Sequence, residues 1–563
     1  MKKINRRNFL ETSVILSSSA FVFSACSSLG ISFRSTDLDI MIINGVIIDG
    51  SGKNEFKDDV GIKNGKIAAL GNLKNLTAEK IIDAKGMKIT PGFIDIHTHT
   101  DLGVLRNTKG ESKIRQGVTT EVSGNCGSSY GPVSQIDFEK EAKNLDEKFG
   151  LVLKNPSLGG FLNMLEDWKF SVNQATLVGL GNIRENIIGM NDRPATIDEI
   201  KLMRYEIEKA IDDGAVGAAS GLEYTPGSFA STEELVEVCK GLHGIGNLYT
   251  THMRNEDNYV EEAVVEAINI SRGANCRLEL SHLKASGKSN WYKADKLLEQ
   301  LDKAVESGME VHADRYPYVA YHTGLANLFP LWARDGGSKD FIGRMNDQSN
   351  YDKMREYAEK KVGNLDGGWD GVVISGLAGD DLQHFKGQSI KSISENIDKE
   401  PFDVTAVLIK YSNNSVQMVG FGMNEKEIET ILSHPRVMIA SDAGAHAPYP
   451  PMNKSIAHPR AYGTFPRAIA KYVKERKICS LEEMVRKMTG LPAEKFRLKD
   501  RGLIQENKAA DIVIFDYDKI KDKAEFTDSM QYPEGINFVI VNGKVVIENG
   551  EHTGELPGKI IRF

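Results

Sequence analysis

Two histidines separated by one residue, in Pro91-Gly92-Phe93-Ile94-Asp95-Ile96-His97-Thr98-His99, are the first residues of the chain whose spacing could hold a metal. On a strand, residues i and i+2 share a face, so His97 and His99 would point the same way. A lone His-x-His can equally be a pair of core histidines. The position of this one, directly after a β-rich segment, favours a metal site.

Other ligand-capable side chains also fall where β-rich runs end. Cys126 follows Thr119 to Ser123 in Gly124-Asn125-Cys126-Gly127, His252 closes Tyr249-Thr250-Thr251-His252, and His282 follows Leu278-Glu279-Leu280-Ser281. Each alone reads as a buried cysteine or a histidine bonded to backbone. Five such groups at the same level of successive strands form a ligand set, and thiolate with imidazole favours zinc. Val437-Met438-Ile439-Ala440-Ser441-Asp442 delivers a carboxylate to the same place. Asp442 is read as general base and acid. Zinc lowers the pKa of water from about 15.7 to about 7, and a nearby carboxylate can pass the proton to a leaving amine. The bland reading of Asp442 is a turn cap, which Gly444 and the prolines beyond it would suit.

The elements that must position these groups follow from hydrophobic patterning. Eight apolar or β-branched runs begin near Phe93, Val118, Thr176, Ala215, Leu248, Arg277, Met309 and Val437. They alternate with helix candidates such as Ala195 to Asp213, Thr232 to Gly244 and Tyr259 to Arg272. This alternation predicts an α/β fold, a (β/α)8 TIM barrel over residues 91–499 with its site at the C-terminal ends of the strands. The interval of roughly 320–435 is far longer than one crossover needs and predicts an inserted subdomain over that site. Residues 36–90 and 500–563 carry short β runs broken by Asn-Gly and Asp-Gly turns, and together predict one small β-sandwich or barrel domain.

Lys2, Lys3, Arg6 and Arg7 precede an apolar run, Val14 to Phe23, that is too short to span a bilayer. Residues 1–25 therefore predict an export signal of the twin-arginine type. Phe23-Ser24-Ala25-Cys26 resembles a lipoprotein cleavage box, in which Cys26 would carry the lipid, although Phe23 stands where Leu is usual. The expected location is the bacterial cell envelope, periplasmic or lipid-anchored, with the membrane contacted only through that anchor. A net charge of −8 across 563 residues and the lack of a basic stripe argue against a nucleic-acid partner. The five cysteines (Cys26, Cys126, Cys239, Cys276 and Cys479) lack the spacing of a disulfide framework, and Cys239 is expected in the core.

Taken together the motifs resemble the N-acyl-D-amino-acid deacylases (D-aminoacylases), a branch of the amidohydrolase superfamily. The resemblance covers nearly the whole chain beyond the signal. It is carried by residues 91–99, Gly-Asn-Cys-Gly at 124–127, Ser-Gly-Leu-x-Tyr at 220–224, Ser-His-x-Lys at 281–284, Tyr-Pro-Tyr at 316–318, Ser-Asp at 441–442 and His-Pro-Arg-x-x-Gly-Thr-Phe-Pro-Arg at 458–467. Most two-metal amidohydrolases bridge their metals with a carboxylated lysine, whereas this branch uses a cysteine after the second strand.

The resemblance implies a tight zinc on Cys126, His252 and His282, and a weaker second position on His97, His99 and Cys126. It implies that Lys284, Tyr316 and Arg460 hold the substrate carboxylate, with Tyr224 also in the substrate site. The implied reaction releases a D-amino acid and a carboxylate from a small N-acyl-D-amino acid. Two departures bear on it. The span from Asp442 to Arg460 is longer than the family pattern, which leaves the place of Arg460 open, and His322 stands where small hydroxyl residues are expected. The alternatives are an amidohydrolase of D-configured dipeptides, peptidoglycan fragments or cyclic amides, and a non-catalytic envelope lipoprotein. The cysteine argues against cyclic amides, and the complete ligand set argues against a retired site.

Overall fold

A computed structural model describes residues 37–453 and 455–563; the expected export signal and Cys26 lie outside them. Eight strand positions of the described chain run parallel, side by side, in sequence order. They are Phe93–Asp95, Val118–Ser123, Asn173–Thr176 continued by Val178–Gly179, Ala218–Gly221, Leu248–His252, Arg277–Leu280, Val311–Arg315 and Val437–Ile439. The last meets the first: Thr98 and Ala443 form a parallel bridge, and Asp442 N–H donates to His97 O at 2.9 Å. The strands are buried on both faces, as parallel strands flanked by helices must be. Ile94, Val122, Ala175, Ala219 and Met438 pack with Leu491, Phe496 and Leu498.

The helices between strands begin and end on local signals. Ile197–Asp212 starts at a capping box in which Thr196 accepts from Glu199 N–H and Glu199 accepts from Thr196 N–H. Val260–Ala274 stops at Asn275, whose left-handed backbone ends the helix. Cys239, at the end of Thr232–Cys239, is fully buried in the large core.

Between the seventh and eighth strands, Ala320–Gly324, Val416–Phe421 and Val372–Leu377 form an antiparallel sheet in that order. With four helices it encloses a separate core around Phe329, Phe341, Met354 and Phe402. The next helix, Glu425–Ser433, instead buries Ile428, Ile431 and Leu432 in the large core. The insertion's own core thus stops near Phe421, short of the roughly 435 that the sequence interval suggested.

Both chain ends share one sheet, in which Lys88–Pro91 pairs antiparallel with Ile512–Phe515. A second sheet, Lys66–Gly71, Asp59–Lys63, Leu38–Ile43 and Ala78–Asp83, shares its core through Ile42, Ile62, Ile89 and Ile512. Lys88–Pro91 runs straight into the first parallel strand through Gly92. A Cβ there would lie 2.1 Å from Thr119 Oγ1, so only glycine lets the two strands approach. No helix of the described residues is long and apolar enough to cross a membrane.

Candidate metal centre and active site

The strand ends deliver the functional side chains through unusual backbone. Cys126, His282 and Asp442 have φ of 53°, 36° and 51°, a region that non-glycine residues occupy only where their surroundings hold them there. Asn125 pins the Cys126 loop, donating to Val122 O at 2.9 Å and Ile96 O at 3.3 Å. Gly221 lets the neighbouring strand pass, since a Cβ there would meet Cys126 O at 2.1 Å.

Cys126 Sγ lies 3.3 Å from His97 Nε2, 3.6 Å from His282 Nε2 and 3.8 Å from His252 Nδ1, and the last two nitrogens are 3.0 Å apart. Tetrahedral zinc, with bonds of about 2.3 Å to sulfur and about 2.0 Å to nitrogen, separates its ligand atoms by about 3.3–3.6 Å. Separations of 3.0, 3.6 and 3.8 Å among Cys126, His252 and His282 lie within a few tenths of an ångström of that spacing, so the donor set fits zinc in chemistry and nearly in geometry. Burial alone would raise the Cys126 thiol, but the charge of His97 and hydrogen bonds from His252, His282 and His97 hold it well below its ordinary pKa. These groups favour the thiolate, which is the form that binds metal.

Two carboxylates orient the imidazoles. His97 Nδ1 is 3.0 Å from Asp314 Oδ2, and His282 Nδ1 is 2.8 Å from Glu256 Oε1. Held by a carboxylate at Nδ1, each imidazole turns its Nε2 toward Cys126. Asp314 also accepts from His282 N–H at 2.9 Å. Neither carboxylate was singled out from the sequence. Asp314 lies one residue before the end of the seventh strand, Val311–Arg315, near the level that supplied the ligands elsewhere, and that position could have found it. Glu256 follows His252 by four residues in a loop and carries no comparable signal.

His99 and Asp442 form the other side of the centre. Asp442 Oδ1 is 3.0 Å from His99 Nε2 and 3.5 Å from His97 Nε2, so His97, His99, Cys126 and Asp442 make a second ligand-capable group sharing the cysteine. Asp442 Oδ2 is 2.8 Å from Arg460 Nη1. The long span does not carry Arg460 away: its proline-rich part folds outward, with Tyr449 Oη donating to Glu111, and Arg460 opens the helix Arg460–Arg467. Burial would raise the Asp442 carboxyl, but Arg460 and the neighbouring histidines hold it well below the usual range.

A cavity of about 580 Å³ joins these groups to the remaining expected site residues. The Tyr316 ring lies 4.6 Å from the Arg460 guanidinium and 5.8 Å from Lys284 Nζ, and its buried hydroxyl has no hydrogen-bond partner among the described residues. Lys284 Nζ is 2.6 Å from Glu256 Oε1 and 2.8 Å from His282 Nδ1. Tyr224 packs 4.6 Å from the His252 ring, its hydroxyl 3.2 Å from Thr323 Oγ1. His322, on the insertion strand Ala320–Gly324, also lines the cavity, with Ser375 Oγ 2.9 Å from its Nε2.

The amidohydrolase family model matches residues 89–546. The chain belongs to the amidohydrolase family. As an amidohydrolase it is a hydrolase acting on linear amide C–N bonds. It is 32% identical to a D-aminoacylase of Alcaligenes xylosoxydans xylosoxydans over 527 residues, covering 94% of this chain and 98% of the relative. It is 31% identical to an N-acyl-D-aspartate deacylase of the same organism, covering 93% and 95%. Among solved structures it is similar to the N-acyl-D-glutamate deacylase of Bordetella bronchiseptica, solved with zinc and a phosphonate inhibitor. That likeness has a TM-score of 0.79 and 30% identity, over 93% of this chain and all of the other.

Proposed function

We propose that this amidohydrolase cleaves the amide bond of N-acyl-D-amino acids, giving a D-amino acid and a carboxylate. The reading is carried by one observation: the Asp442–Arg460 pair and the Cys126, His252 and His282 donors face a single cavity. Cys126, His252 and His282 would hold a tight zinc, with His97, His99 and Cys126 as a weaker second position. When bound, the ion supplies a Lewis acid that polarises the acyl carbonyl and makes water acidic.

The chain's own groups do the rest. Arg460 through its fork, Lys284 as a point charge and the free Tyr316 hydroxyl take the substrate carboxylate. Tyr224 packs beside the substrate, and these contacts fix which side of the α-carbon faces the donors. Asp442 takes the proton of the attacking water as its oxygen bonds to the acyl carbon. It then gives that proton to the nitrogen as the C–N bond breaks.

The eight-strand order, closed between Thr98 and Ala443, supports reading residues 91–499 as a (β/α)8 barrel with the insertion over its mouth and a β domain from both chain ends. The basic, apolar and small-residue order of residues 2–26 supports export and a lipid anchor at Cys26. Mass spectrometry of envelope-fractionated protein tests the anchor, and an unprocessed, unlipidated chain in the cytoplasm would rule it out.

The activity test is chiral analysis of amine released by zinc-loaded protein from paired N-acetyl-D- and N-acetyl-L-amino acids, with longer acyl and aminoacyl groups on the same D-residues. Release from the D series alone is expected. Hydrolysis of other amides with none from any N-acyl-D-amino acid would refute this reading.

A further inference from the structure

The short segment Glu111–Gln116, absent from every motif above, grips all three pieces of chain that carry Asp442 and Arg460. Lys113 is fully buried. An ammonium has three donors, and all three are used: Asp95 Oδ2 at 2.7 Å, Ser441 Oγ at 2.6 Å and Ala443 O at 2.7 Å. Asp95 also accepts from Ser441 N–H at 2.9 Å. Lys113 therefore holds the residues on either side of Asp442, whose φ of 51° needs such support, and ties them to the strand that leads into His97.

Gln116, also fully buried, acts on the next piece. Its carboxamide donates to Ala461 O at 2.8 Å and accepts from Phe465 N–H at 3.3 Å. Those two backbone groups, four residues apart, are ones that a regular helix pairs with each other. Gln116 thus reaches into the first turn of the helix that opens with Arg460 and sets how that turn lies. Between the two, Ser112 exchanges hydrogen bonds with His446 of the connecting loop, at 3.0 Å and 2.8 Å.

We propose that Lys113 and Gln116 are positioning residues with separate tasks: Lys113 sets the proton-carrying Asp442, and Gln116 sets the carboxylate-binding Arg460. The assignment rests on the roles given to those two residues under the proposed function. A group that must accept a proton in flight is sensitive to placement, and a 1 Å error can cost roughly 10²-fold in rate. A group that binds substrate and transition state alike changes KM instead.

The test is steady-state kinetics of Lys113→Met and Gln116→Met on an amide that the wild-type protein turns over, with zinc per chain and Tm measured alongside. Lys113→Met is expected to lower kcat by roughly 10²-fold with KM within about threefold. Gln116→Met is expected to raise KM about tenfold with kcat within about threefold. Zinc per chain stays at the wild-type value in both. Variants that lose Tm while keeping wild-type kcat and KM, or that move both constants together, would overturn the proposal. Should Lys113→Met not fold, Ser441→Ala removes one of its three acceptors, and an unchanged kcat there overturns it equally. Failure of the wild type on every N-acyl-D-amino acid would count against the deacylase reading alone, because the kcat and KM split is measured on whichever amide is cleaved.

Discussion

Arg460 and Asp442 face each other at 2.8 Å inside the cavity, so the cation assigned to the substrate carboxylate is already paired with the residue assigned to the proton. Removing Arg460 takes away both the substrate contact and the cation beside Asp442, whereas a change at Gln116 shifts only the turn that carries Arg460. In Arg460→Met we expect KM for N-acyl-D-amino acids to rise. The acid limb of the kcat/KM profile should move to higher pH, because Arg460 is the largest influence holding the Asp442 carboxyl down against burial. A pH-rate series on both proteins checks this, and an acid limb that stays put would separate Arg460 from Asp442.

Asp442→Asn keeps the shape of the side chain and loses the proton acceptor. Turnover should fall by about 10²- to 10⁴-fold while zinc per chain is retained. Full turnover in that variant would take Asp442 out of the reaction.

The shared cysteine and the outer histidine should differ in weight. Cys126 touches both ligand groups, whereas His97 and His99 belong to the group that contains Asp442. Activity should survive His97→Asn better than Cys126→Ala, measured at saturating and at stoichiometric zinc. The reverse order would move the working ion to the histidine pair.

Glu256 links His282 to Lys284 through one oxygen. Loss of a carboxylate that orients a metal-binding imidazole costs about 10- to 100-fold in metal affinity. Glu256→Gln should weaken zinc by that factor in chelator competition and raise KM as well, because Lys284 loses its nearest anion. Unaltered zinc affinity would show that Lys284, not Glu256, fixes His282.

Glu223 connects the site to the insertion, accepting from Asn327 Nδ2 at 2.8 Å. Burial pushes its carboxyl up, but Lys361 and His252 outweigh this and hold it at about 2. A folded pKa below the unfolded one adds stability above the ordinary value of 4.5, and that stability is lost as pH falls toward 2. Glu223→Gln should therefore flatten the fall of Tm over that window. An identical slope in both proteins would contradict it.

The residues that meet at the centre were legible in the sequence because each follows from a local rule. Successive strand ends fall at one level, which places His252 at the end of its strand and His97, His99, Cys126, His282 and Asp442 just past the ends of theirs, all at one mouth. The strand starts were readable to within three residues, Thr176 against Asn173, Ala215 against Ala218 and Met309 against Val311 being the offsets. The end of the insertion was not, because Glu425–Ser433 has the same amphipathic pattern whichever core it joins. Its burial beside the eighth strand decides the matter.

What only the tertiary structure decided is the set of buried polar partners: Asp314 on His97, Glu256 on Lys284, Lys113 on Ser441 and Gln116 on Ala461. Lys113 and Ser441 are 328 residues apart, and Gln116 and Ala461 are 345. A lysine or glutamine in a short polar segment looks the same in sequence whether it faces solvent or fills a cavity. Burial makes the difference, because a charge removed from water must find its acceptors wherever folding has brought them.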